Sequence, residues 1–264
     1  MKKNHPAHER SHEEKLEEKP FLEHLEDLRR TIIKALLVFG CAFLLCVPLT
    51  FRGFTVAIFK RPLVHALTRV NESVEAVRLP TLYPAGGFIV AMKISLEVAL
   101  VISLPFILYC IGDFVLPALT RHERRYFAPV LVAGSLLFYC GIILCYFLTL
   151  PWALQFFWKF NSLMGIDNLW TINEYVKFAG RLLIAFGLIF EMPLVILFLV
   201  KIGVLDYRIL SQKRRYAIVI AFIVAALLTP PDAITQLMMA IPLVALYELC
   251  VLGAWLMRGK NVVA

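Results

Sequence analysis

The sequence predicts an all-α integral membrane protein: six transmembrane helices in a bent, concave bundle with both termini cytoplasmic. Three observations lead there. Of its 264 residues 60% are hydrophobic and only 17% charged, with a mean hydropathy of +0.77, whereas a soluble domain carries about 25% charge. Phe127 to Leu150 runs for 24 residues without a charge, and roughly 20 residues at 1.5 Å each cross a hydrocarbon core of about 30 Å. Lys and Arg also alternate between the connecting segments. Segments 1–30, 112–127, 201–215 and 258–264 hold 7, 3, 5 and 2 of them, against 5, 1 and 0 in segments 51–85, 151–172 and 229–235. Positive charge collects on the cytoplasmic side, so the formal net charge of +8 reads as a topology signal. A nucleic-acid-binding role is set aside because that charge sits in short loops between apolar spans.

Taken in order, residues 1–20 are polar and predict a disordered cytoplasmic tail with no cleavable signal peptide. His5, His8 and His12 match no strong metal template, and no cofactor is expected. Phe21, Leu25 and Leu28 form one helical stripe beside Glu23, Glu26, Asp27 and Arg30, which predicts an interfacial helix feeding the first span, about 31–50. The long outer segment 51–85, with Pro62, Pro80 and Pro84, predicts a cap over the bundle, and Gly86-Gly87 a close turn into span two, about 88–111. Within that span Lys93 and Glu97 lie four apart and can compensate each other as a structural pair. Span three is expected at 127–150 and span four at 175–200, where Lys177 and Arg181 share a face near the outer end. Span five, about 216–229, has an apolar stretch of only 12 residues, Ala217 to Leu228, or about 18 Å of helix. Local bilayer thinning or cover from other subunits would accommodate it; a buried or re-entrant segment is the other reading. Thr229-Pro230-Pro231-Asp232 then turns the chain into span six, about 234–257, before a cytoplasmic tail at 258–264. Residues 21–257 thus form one membrane domain. Pro48, Pro105, Pro193 and Pro242 lie in or near four of the spans, so bent helices are expected. All six cysteines fall in apolar spans or at their edges, which predicts packing and no disulfide framework.

Two places carry candidate chemistry. Glu191 stands between the charge-free stretches Leu182–Phe190 and Met192–Val200. An isolated acid at that depth costs about 2.5–3.5 kcal/mol on insertion scales and more on others, so it faces a partner or a wet cavity. In the first inner loop an apolar ridge, Phe114-Val115-Leu116-Pro117-Ala118-Leu119, leads to Thr120-Arg121-His122-Glu123-Arg124-Arg125. Glu123 either balances its neighbouring arginines or receives a ligand that combines positive charge with an apolar segment.

Four stretches, Phe21 to Arg29 (FLEHLEDLR), Phe114 to Arg125 (FVLPALTRHERR), Phe190 to Pro193 (FEMP) and Leu228 to Asp232 (LTPPD), occur in this order on a six-span chain. In them the protein resembles the TatC family, the multispanning subunit of the twin-arginine protein translocase, from Phe21 to about Trp255. The resemblance implies a signal-peptide receptor and core subunit that exports folded proteins across the bacterial cytoplasmic (inner) membrane on the proton-motive force, and no enzyme. Its partners would be TatA-type and TatB-type single-span proteins, twin-arginine signal peptides and other copies of itself. Glu123 matches the carboxylate that receives the arginine pair, Phe114 the apolar residue beside it, and Leu25 and Asp27 the amino-terminal part of the site. The family usually has glutamate at the position of Asp27, and a further arginine where this chain has Thr31. Glu191 matches the family's intramembrane glutamate. Thr229 and Gln236 resemble the cluster at which single-span partners dock, although a purely structural cap fits them equally. Arg29, Pro62, Lys93, Glu97, Pro105, Pro117 and Asp232 are assigned to structure or coupling.

The recognition chemistry is readable without the family. Arginine presents five N–H donors in a rigid fork that carboxylates accept bidentately, so an arginine pair differs from lysines in geometry as well as charge. Asp27 and Glu123 on one surface would give each arginine a carboxylate, with Phe114 and Leu119 against the peptide's apolar part. Two other functions compete. A proton-coupled small-solute transporter would show paired broken-helix segments in related halves, and none is evident. A membrane scaffold without receptor activity would bind twin-arginine and twin-lysine peptides alike. An intramembrane enzyme has neither a metal cluster nor a Gly-x-Ser-x-Gly elbow to support it.

Overall fold

The computed structural model describes residues 21–70, 79–115, 127–229 and 232–261, and every regular element among them is helical. Helix α1 (Phe21–Phe51) runs unbroken from the expected interfacial stripe into the first span. It stops at Gly53, whose φ of 79° lies in the left-handed region that glycine enters without cost. Within residues 51–85, expected as a cap over the bundle, the chain forms a helix, α2 (Phe54–Thr68). Pro62 lies buried inside α2 and has no N–H to donate to the carbonyl of Ile58 four residues earlier. Tyr146 fills that gap, its hydroxyl donating to Ile58 O at 2.7 Å, and Tyr175 donates to the next carbonyl, Phe59 O.

The same device recurs in α3 (Gly86–Val115). Pro105 lies within this helix, so the Val101 carbonyl loses its helical donor, and Tyr139 supplies a hydroxyl at 3.2 Å. Tyr139 and Tyr146 are two turns apart on the third membrane helix, which consists of α4 (Phe127–Leu144), a π-helical turn Cys145–Thr149 and α5 (Leu150–Leu163). Span three was expected to end at 150, but the helix runs on to Leu163. The wide turn absorbs Pro151, and Leu150 N–H donates to Cys145 O five residues back. Tyr146→Phe is expected to leave the Ile58 carbonyl unpaired at a cost of about 1–3 kcal/mol. A lowered unfolding midpoint for Tyr146→Phe that Pro62→Ala partly restores, by returning the missing N–H, checks this assignment.

Helix α6 (Ile172–Phe190) is capped by Thr171, whose Oγ1 accepts from Glu174 N at 3.3 Å. Its Val176, Ala179, Leu182 and Phe186 form the centre of the core with Leu63, Leu67 and Ile94. One residue, Glu191, separates it from α7 (Met192–Lys201), and Pro193 just inside α7 breaks the ladder there. After α8 (Tyr207–Gln212) come α9 (Arg214–Leu228) and α10 (Ala233–Asn261). Thr229, forced out of the helical region by Pro230, ends α9 at ψ 161°. Asp232 caps α10, accepting from Thr235 N at 2.7 Å.

Among the described residues five helical segments are long and apolar enough to cross a membrane: Leu25–Phe51, Gly86–Phe114, Ala128–Leu163, Ile172–Lys201 and Ala233–Met257. Helix α9, expected as the fifth span, has 15 residues, or about 22 Å. Arg181 of α6 donates to Leu227 O at its C-terminal end, placing a cation where the helix dipole is negative. Leucines and isoleucines such as Leu36, Leu44, Leu45, Ile218, Ile220 and Leu252 are exposed, as a hydrocarbon solvent requires.

Candidate functional site

Glu191 occupies the elbow between α6 and α7. Both of its carboxylate oxygens are buried and neither has a hydrogen-bond partner. Its carboxylate lies against Gly134 of α4: a Cβ added there would stand 2.9 Å from Oε2 and 3.1 Å from Leu194 Cδ2. The glycine therefore makes the space that the acid uses. A desolvated carboxylate with free lone pairs can receive a cation or a strong N–H or O–H donor, and none of the described residues supplies one.

Asp27 and Phe114 lie on neighbouring helices at the same level. The rings of Phe51 and Phe88 are 6.2 Å apart, so the end of α1 meets the start of α3 and the two helices run antiparallel. Counting back from that contact, Asp27 lies about 36 Å down α1 and Phe114 about 39 Å down α3. Both side chains are half-buried, and Leu25 is exposed. Asp27 O accepts from Thr31 Oγ1 at 2.9 Å, and Arg30 pairs with Glu26 at 2.8 Å. Arg29 is exposed on the same helix. Glu123, Leu119 and Pro117 fall outside the described residues.

At the opposite end of the bundle Thr229 is buried and its hydroxyl is spent on Ala225 O at 2.9 Å. Gln236 is half-buried and ties α10 to α9 through Phe222 O at 3.1 Å. The Lys93–Glu97 pairing expected from i,i+4 spacing takes another form: Lys93 Nζ donates to Asn173 Oδ1 of α6 at 2.7 Å, and Glu97 Oε2 is buried without a partner. Pro62 and Pro105 sit at the two carbonyl gaps that tyrosines fill.

Several participants were not singled out from the sequence. Gly134 and Gly180 each lie under an intramembrane carboxylate, and a Cβ at Gly180 would overlap that of Glu97. Arg214 of α9 pairs with Glu248 of α10 at 3.2 Å. These two border a groove of about 730 Å³ together with Tyr207, Leu249, Leu252 and Trp255. A glycine facing a lone acid is a usable signal only when the helix pairing is known.

Comparison with known proteins identifies the family. The family model described as Sec-independent protein translocase protein (TatC) matches residues 23–242. A Sec-independent protein translocase protein TatC of Akkermansia muciniphila is 42% identical over 179 residues, 67% of this chain and 51% of the relative, so the chain spans about half of that protein's length. The one of Aquifex aeolicus is 38% identical over 249 residues, covering 92% of this chain and 98% of the relative. A crystal structure of the twin-arginine translocase receptor TatC superimposes with a TM-score of 0.75 at 36% identity, over 88% of this chain and 98% of that one. With the fold, the family match and near-full-length relatives in agreement, this membrane protein belongs to the TatC family.

Proposed function

We propose that this chain is the signal-peptide receptor and core subunit of a twin-arginine translocase, exporting folded proteins across the bacterial inner membrane on the proton-motive force. The observation that carries the reading is Glu191: a buried carboxylate with two free oxygens at the break of the family's FEMP stretch is a contact waiting for a partner. In this reading the whole of 21–257 is one six-span domain with α9 as the short fifth span and both termini in the cytoplasm. Glu123 and Asp27 divide the two arginines of the signal peptide. Phe114, Leu119 and Leu25 flank its apolar stretch, supported by the matching levels of Asp27 and Phe114. Glu191 meets the inserted peptide or a partner helix deeper in the bundle.

TatA-type and TatB-type single-span proteins and further copies of the chain complete the translocase. Gln236, half-exposed beside the short α9, is the better placed of the two docking residues, since the Thr229 hydroxyl is already engaged. Six modest helices do not enclose a protein-sized passage, so the conduit needs those partners.

The test is binding of the detergent-solubilised protein to a twin-arginine signal peptide and its Lys-Lys variant. A charge-assisted hydrogen bond contributes about 1.5–3 kcal/mol. Both the Lys-Lys peptide and Glu123→Gln are therefore expected to weaken binding by about tenfold or more. Equal affinities for the two peptides would sink the receptor role and leave a scaffold.

A further inference from the structure

The membrane domain holds a second buried acid, apart from Glu191. Glu97 lies twelve residues into α3, about 16 Å from its start, and rests in the notch left by Gly180 of α6. Its Oε2 is buried and has no hydrogen-bond partner. Lys93, one turn nearer the start of α3, is held by Asn173, the second residue of α6. Asn173, Lys93 and Glu97 thus form a polar ladder descending from the end of the bundle at which α3 and α6 begin.

Among the described residues no such ladder leads from Glu97 towards Glu191. Along α6, Gly180 and Glu191 are eleven residues apart, about 16 Å, and buried Phe138, Phe186 and Ile189 fill the interval. Helix α2, which touches α3, carries three ionisable groups: Lys60 is half-buried beside Gly87 and Ala91 at the start of α3, and Arg61 and His65 are exposed beside Tyr146. On α3 itself Lys93 faces the acid. On α6, Lys177 and Arg181 flank Gly180 in sequence but are exposed, one 3.8 Å from Glu174 and the other on Leu227 O. Helix α1 carries no charge between Lys34 and Arg52, and the third membrane helix none from Phe127 to Leu150.

A desolvated carboxyl oxygen without a donor gains a bonding partner by taking up a proton. We propose that Glu97 is a proton-binding site that exchanges with the face at which α3 and α6 begin, along Asn173 and Lys93. An O–H bond forms on the carboxylate, the proton comes from water at that face, and the site changes from a charge of minus one to neutral. The proposal goes beyond signal-peptide recognition and does not depend on it.

Dicyclohexylcarbodiimide takes the proton of a carboxyl in apolar surroundings on its nitrogen and is attacked at carbon by the carboxylate oxygen, and the resulting adducts can be assigned by mass spectrometry. The full chain carrying Leu163→Cys, at the exposed end of α5, is sealed in vesicles, and an impermeant maleimide reports which face holds that cysteine. An adduct on Glu97 is expected, rising up to about tenfold per unit of acidification on the Leu163→Cys face and indifferent to pH on the other. Glu97→Gln abolishes it, and Glu97→Asp retains a pH-dependent adduct at the same position. Arg-Arg over Lys-Lys peptide preference is unchanged in Glu97→Gln, which separates this site from the receptor reading. No adduct at Glu97, a yield insensitive to pH, or one that follows the opposite face would overturn the proposal.

Discussion

Glu191→Leu is expected to give a protein at least as stable as the parent that no longer exports folded cargo. Both carboxylate oxygens of Glu191 are buried without a partner, a state that costs about 1–3 kcal/mol per unsatisfied group. Leucine is close to glutamate in volume and fits the apolar wall of Leu194 beside Gly134, so removing the acid relieves the penalty without opening a cavity. The lost function follows from the same atoms. If an incoming donor normally occupies them, deleting one charge-assisted hydrogen bond of about 1.5–3 kcal/mol lowers occupancy by about ten- to a hundredfold. Glu191→Gln, which keeps an acceptor oxygen, should fall between. Peptide discrimination at the Asp27 end should survive in both variants. Unfolding midpoints in detergent, peptide binding and an export assay in cells lacking their own TatC check the three parts. A destabilised variant with unimpaired export would make Glu191 a structural residue only.

Much of the fold was legible because a membrane simplifies the code. α1, α3 and α10 are long apolar runs, and their existence follows from composition. The helices that were missed, α2 and the extension α5, both contain or adjoin a proline and carry charge, Lys60 and Arg61 in one and Lys159 in the other. Read locally, those features argue for a loop. The donor that makes Pro62 tolerable comes from Tyr146, 84 residues away in sequence, and no window contains both. The site divides in the same way. Glu191 was visible as a lone acid between apolar runs, but Gly134, which gives it room, lies on another helix. Lys93 and Glu97 were expected to pair by spacing, yet Asn173 took the ammonium: a neutral amide on a neighbouring helix was within reach, and Lys preceding Glu is the weaker order for an i,i+4 pair.

Gly141→Leu is the substitution expected to damage the fold most. In the absence of a hydrophobic drive between helices in lipid, association depends on close packing around small residues, and α4 meets α6 through glycines on both sides. A Cβ at Gly141 would stand 2.7 Å from the Phe190 ring, 2.9 Å from Phe190 Cβ and 2.8 Å from the Phe186 carbonyl oxygen. Phe138, one turn earlier on α4, fills the notch of Gly187, so the two helices cannot slide to relieve the clash. Backbone cannot rotate away as a side-chain tip can, so the helices must separate, at a cost at the upper end of about 1–3 kcal/mol or beyond. That separation also carries Phe190, and with it the adjoining Glu191, away from Gly134, coupling the packing defect to the intramembrane site. Gly40→Leu on α1 is the control, because nothing lies within 4 Å of a Cβ there and leaving glycine gains up to about 1 kcal/mol of helix propensity. Unfolding of the two variants in the same detergent should therefore shift in opposite directions. Equal midpoints would mean that the α4–α6 contact yields without cost and does not hold Glu191 in place.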